Sequence, residues 1–125
     1  MKILVYSESS ETRRNVIESV GIQAAKGQPE ITWIEAATPA GATIAFEENS
    51  PQVLVLDGES TKAGGMSVAR QLADRYDKVG PIVMLTARPQ DKWLATWAGS
   101  SVVLPAPYDP IDLQNAVAAA VDQAS

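Results

Sequence analysis

Val53-Leu54-Val55-Leu56-Asp57 is an unbroken apolar run that ends in a carboxylate. The same form returns at Pro81-Ile82-Val83-Met84-Leu85-Thr86-Ala87, which closes on a hydroxyl, and at Lys2-Ile3-Leu4-Val5-Tyr6-Ser7-Glu8 near the start. Short apolar runs bounded by Pro, Gly or polar residues read as strands covered on both faces, the mark of a parallel sheet flanked by helices. In an open α/β sheet, chemistry gathers just outside the carboxyl ends of the strands. Ser7, Glu8, Asp57 and Thr86 are therefore expected to converge on one small polar site.

Working outward from these runs, the chain divides into five β-α units. The first strand covers about residues 2–6, and a helix follows over about 10–25, capped by Ser9 or Ser10 with Glu11 in its first turn. Val16 and Val20 share the face of this helix that meets the sheet. A second strand falls at about 31–35, and Thr38-Pro39 reads as a cap followed by Pro at the first helical position, opening a helix to about Glu48. The third strand, 53–57, leads into a polar loop from Gly58 to Gly65 and a helix over about 66–76. The fourth strand, 82–86, precedes a short fourth helix that starts at Pro89 and stops before Gly99. The fifth strand lies at about 101–104, and Asp109-Pro110 opens a last, Ala-rich helix. Such alternation predicts a doubly wound five-stranded parallel sheet with five helices. The expectation is a single domain over residues 1–125, with no repeat, linker or output domain.

Composition narrows the function. The chain has 125 residues, is 46% hydrophobic and 20% charged, and contains neither Cys nor His. That removes disulfides, thiolate zinc sites, phosphohistidine chemistry and the commonest general base. The net charge is −5, and no Lys/Arg-rich run appears, which argues against nucleic acid as a partner. No apolar run reaches membrane-spanning length, and the first strand begins at once, so the expected location is the cytoplasm, with no direct membrane insertion.

At this point the chain resembles a response-regulator receiver domain (CheY-like, of flavodoxin-like fold), and the resemblance spans nearly its whole length. It rests on Asp57 ending the third strand and Thr86-Ala87 ending the fourth. It also rests on Thr12-Arg13-Arg14 in the first helix, Gly64-Gly65 before the third, and Pro107-Tyr108-Asp109-Pro110 after the fifth strand. The ordered spacing of these short motifs carries the likeness. It implies strand order 2-1-3-4-5, Asp57 in the phosphoacceptor position of a two-component phosphorelay, Thr86 as the switch hydroxyl, and an acidic pocket at Ser7 and Glu8.

The departures from that pattern are chemical. The family usually has two acids after the first strand to hold magnesium, where this chain has Ser7 and Glu8. It has a Lys before the Pro after the fifth strand, where this chain has Ala106. The aromatic partner of the switch hydroxyl is replaced by Val103, and the Pro beyond the phosphoacceptor by Ser60-Thr61-Lys62. Phosphoryl transfer to a carboxylate depends on charge neutralisation. A charge pair at ~4 Å and an effective dielectric of ~20 interacts by roughly 4 kcal/mol, and half of that is already more than tenfold in rate. Lys62 and Arg88 are possible substitutes for the missing Lys. Glu8 and Asp57 remain as candidate ligands for a weakly bound magnesium; the alternative is no cofactor at all.

Receivers usually communicate through the face made by the fourth helix, fifth strand and fifth helix. Trp93 and Trp97 lie four apart on one face of the predicted fourth helix. Val102 occupies a place where an acid is common in the family. The expectation is a non-enzymatic, atypical receiver that works mainly by protein–protein docking through Trp93, Trp97 and Val102, with phosphorylation at Asp57 weak or absent. Three alternatives stand beside it: a working phosphoacceptor in a phosphorelay, an accessory subunit that uses the receiver fold as scaffold, and an FMN-binding electron carrier. The last draws on the hydroxyl-rich loop Ser7-Glu8-Ser9-Ser10-Glu11-Thr12, where the two carboxylates would repel a phosphate.

Overall fold

In β3 (Val53–Asp57) all five residues are buried, because the strand has a neighbour on each side and helices above and below. The computed structural model describes residues 1–58, 65–86 and 102–124. Around β3 lie β1 (Lys2–Tyr6), β2 (Thr32–Ala36), β4 (Ile82–Thr86) and β5 (Val102–Pro105), all parallel, in the order β2-β1-β3-β4-β5. The described helices are α1 (Ser10–Val20), α2 (Pro39–Asn49), α3 (Gly65–Arg75) and, last in the chain, α4 (Pro110–Ala124). Four helices are thus seen among the described residues; the helix expected from Pro89 to Gly99 lies outside them, as do Lys62, Arg88, Trp93 and Trp97.

Side chains alternate across a strand, so each strand feeds two cores. Leu4, Tyr6, Leu54, Leu56, Ile82 and Met84 pack with Ala42, Ala45 and Phe46 of α2 and with Val68, Ala69 and Leu72 of α3. Ile3, Val5, Val53, Val55, Val83 and Leu85 pack with Val16 and Val20 of α1 and with Leu113, Ala116, Val117, Ala120 and Val121 of α4. Each such Val, Leu or Ile contributes about 1.5–3 kcal/mol by its burial, and a one-residue slip would send every strand side chain to the wrong face. The register is held tightly at the amino end of the sheet. A Cβ at Gly80 would collide with the Gln52 carbonyl oxygen, so only glycine allows that approach.

Local signals explain most boundaries. The Ser9 hydroxyl accepts the Thr12 N–H at 3.2 Å and caps α1, while Thr38 accepts from Gly41 at 2.9 Å and caps α2, with Pro39 following. Most boundaries fall within a residue of the sequence expectation, and the largest departure is at the end of α1. Helix α1 stops at Val20, not near residue 25, because Gly21 takes φ 75° and closes the helix with its N–H on the Ile17 carbonyl at 2.7 Å. Glycine is the residue that adopts this left-handed conformation without steric cost. The following segment reaches β2 one residue later than expected.

Candidate functional site

All five parallel strands end on one side of the sheet, and the polar residues lie at or just past the ends of β1, β3 and β4. The β1–β3 register pairs Ile3 with Val53 through Tyr6 with Leu56, so the next rung sets Ser7 beside Asp57. Both have the parity of the α1/α4 face, and adjacent strands run about 4.8 Å apart. The Ser7 hydroxyl donates to Asp57 Oδ2 at 2.7 Å in a buried bond. Ser7 is 0% and Asp57 9% exposed. A hydroxyl bound to a carboxylate at this distance is a strong, charge-assisted hydrogen bond.

Serine has a single hydroxyl proton, and its direction here is fixed. The Ser9 N–H donates to Ser7 Oγ at 3.0 Å, which leaves the Ser7 proton for Asp57. The Ser7 carbonyl is engaged as well: Arg13 Nη1 donates to it at 2.5 Å while Arg13 Nε donates to Glu35 Oε1 at 3.0 Å. A chain of contacts therefore runs from exposed Glu35 on β2 through Arg13 on α1 to Ser7 and the Asp57 carboxylate.

The remaining strand-end residues complete the site. On β4, Thr86 is buried one rung beyond the Asp57–Leu85 pair, and the Gly58 N–H donates to the Leu85 carbonyl at 2.8 Å. The Ala106 N–H donates to the Thr86 carbonyl at 2.8 Å, which carries the β4–β5 pairing one step past Pro105. The Ala106–Pro107 peptide is cis. Ser7, Asp57, Thr86 and Ala106 thus stand at the ends of neighbouring strands, and half-buried Glu8 follows Ser7 directly. Of the expected docking residues, Val102 is half-buried against the α1/α4 core; Val103, where the family has its aromatic, packs against the α2/α3 core.

The sequence places Ser7 where the family has an acid and assigns Arg13 no part in the site. The signal for Arg13 was its place four residues after the Ser9 cap, since helical side chains lean toward the helix N-terminus. Nothing local to Ser7 or Asp57 signals their bond, which depends on the β1–β3 register. These contacts also bear on magnesium, which asks for near-octahedral oxygen ligands. Asp57 Oδ2 already holds the Ser7 proton, the Ser7 carbonyl holds a guanidinium, and that guanidinium brings positive charge to the same strand end. Among the described residues no group of three or more His, Cys, Asp or Glu is placed to hold a metal. Of the described donors, Asp57 Oδ2 and the Ser7 carbonyl are thus already engaged, which counts against a resident magnesium ion.

Comparison with known proteins agrees with the architecture. No family model matches the chain. Two proteins described as uncharacterized response regulatory proteins, from two strains of Mycobacterium tuberculosis, are each 38% identical to it over 117 residues, covering 94% of this chain and 88% of theirs. Among solved structures, a response regulator receiver domain protein from Clostridium thermocellum superposes with a TM-score of 0.78 at 23% identity, over 97% of this chain and 94% of that one. The signal receiver domain of a putative LuxO repressor protein from Vibrio parahaemolyticus gives 0.81 at 19% identity, over 98% and 91%. A CheY-like receiver domain protein from Methanospirillum hungatei gives 0.77 at 16% identity, over 98% and 94%.

Proposed function

From the premise that the chain belongs to the response regulators and has their receiver fold, we propose that it is an atypical, non-enzymatic receiver that acts by docking to a protein partner, with phosphorylation at Asp57 weak or absent. The observation that carries this reading is the buried bond from the Ser7 hydroxyl to Asp57 Oδ2. A phosphoacceptor carboxylate must attack a phosphoryl group while positive charge gathers around it. Here one oxygen of that carboxylate is occupied by a neutral hydroxyl, and the β5 end offers the methyl of Ala106. Docking is supported by an exposed apolar side chain on α4 and by aromatic residues in the sequence. Ile111, in the first turn of α4, is 64% exposed, and the sequence adds Trp93 and Trp97 between β4 and β5. No cofactor is needed for this role. No helix among the described residues is long and apolar enough to cross a membrane.

Labelling with acetyl phosphate and magnesium tests the proposal. The wild-type protein is expected to label slowly or not at all, and Ala106→Lys with Ser7→Asp to label faster. Rapid stoichiometric labelling of the wild type, abolished by Asp57→Ala, would overturn the proposal in favour of a working phosphorelay.

A further inference from the structure

We infer that Ser7 is a positioning residue that holds Asp57 back from metal chemistry: its hydroxyl donates to carboxylate oxygen Oδ2 and so competes with a divalent cation for that oxygen. The inference rests on reading Asp57 as the phosphoacceptor position, and it adds a device that family membership does not supply.

Three contacts carry it. The Ser9 N–H at 3.0 Å uses Ser7 Oγ as an acceptor, so the one hydroxyl proton lies on Asp57 Oδ2 at 2.7 Å. Turning that hydroxyl to offer a lone pair to a cation would break a buried, charge-assisted bond. In a low-dielectric site that bond is stronger than it would be in water. The third contact, Arg13 Nη1 on the Ser7 carbonyl at 2.5 Å, removes the adjacent backbone oxygen as a ligand. The guanidinium is held there by its second bond, to Glu35. Magnesium gives up its water reluctantly, so it competes poorly against contacts already made.

A serine beside a carboxylate has two opposite roles open to it, and they separate cleanly. If Ser7 were a metal ligand, deleting its hydroxyl would weaken metal binding. If Ser7 is a clamp, deleting it frees Asp57 Oδ2 and strengthens binding. A purely structural serine would change melting temperature and leave metal affinity alone.

The experiment titrates Mn2+ into the purified full chain and follows water-proton relaxation, with thermal melting to confirm that each variant is folded. Ser7→Ala is expected to bind Mn2+ roughly tenfold more tightly than wild type, the scale of a hydrogen bond to a charged group. The gain should vanish when Asp57→Ala is added. Ser7→Cys, of similar size and a weaker donor, should show a smaller gain of the same sign and serves if Ser7→Ala does not fold. Unchanged or weakened binding in the folded variants would overturn the clamp. The docking reading fails separately: rapid wild-type labelling would overturn it whatever the Mn2+ titration showed.

Discussion

At the scale of single residues, Ser7 and Asp57 stand fifty positions apart in the chain and are joined through one proton. Arg13 supports that pair from below by gripping the Ser7 carbonyl and Glu35 together. Its side chain is 14% exposed, against 51% for Glu35, so the bond to the backbone matters more than the ion pair, which water screens. Arg13→Met should therefore destabilise the fold by about 1–3 kcal/mol, read from the urea midpoint, while Glu35→Gln should cost well under 1 kcal/mol. Equal losses in the two variants would show that the ion pair dominates. The identities of the strand-end residues were legible from the sequence, because apolar runs ending in Asp57 and Thr86 mark strand ends directly. What Ser7 does was not legible. Its partner is set by the pairing of β1 with β3, and its proton by a backbone N–H two residues on.

At the scale of elements, a clasp joins α2 to α3. The Tyr76 hydroxyl donates to Glu47, and Arg75 lies 3.7 Å from the same carboxylate. The Tyr76 ring also packs on Phe46, with centroids 4.9 Å apart. The bond to Glu47 raises the Tyr76 pKa above its ordinary 10.0, and desolvation and the Glu47 charge push the same way. The sign follows: the folded state prefers the protonated phenol. Its contribution is full below the unfolded pKa and is lost as pH rises through the raised folded value. Melting temperature should thus fall more steeply above about pH 10 in wild type than in Tyr76→Phe, which lacks the ionising group. Identical alkaline slopes would refute the clasp. Element types were readable because burial on both faces produces apolar runs, and caps such as Ser9 and Thr38-Pro39 are local. The end of α1 was misjudged: Gly21 outweighed the further helix-compatible residues Ile22 to Ala25 by closing on the Ile17 carbonyl.

At the scale of the whole molecule, the chain of contacts Glu35–Arg13–Ser7–Asp57 runs from the edge strand β2 to the central strand β3, two places from β5. A partner that reads the β5 side would meet a surface whose shape depends little on Asp57. Under the docking proposal, Trp93→Ala and Trp97→Ala should each weaken partner capture by about 2 kcal/mol, the scale of an aromatic anchor, and Asp57→Ala should leave it nearly unchanged. Affinities of the three variants for a partner captured from the native host decide the ranking. Intact binding by both Trp variants with loss in Asp57→Ala would reverse it. The strand order itself was expected from the family likeness, and the parallel sheet from the alternation of elements. The surface was legible only as residue types, since Val102 turned out to be half-buried against the α1/α4 core.

The two cores differ in when their parts leave the ribosome. The α2/α3 face draws on residues up to Met84, with Val103 added at its margin. The α1/α4 face needs Leu113 through Val121, and Gln28 further ties the early loop to Ala118 and Asp122. During synthesis one side of the sheet can close while the other has only α1 to cover Ile3, Val5, Val53 and Val55. The nascent chain is thus half-covered on that side until α4 arrives, and its handling in the cell is a matter of how long that half waits.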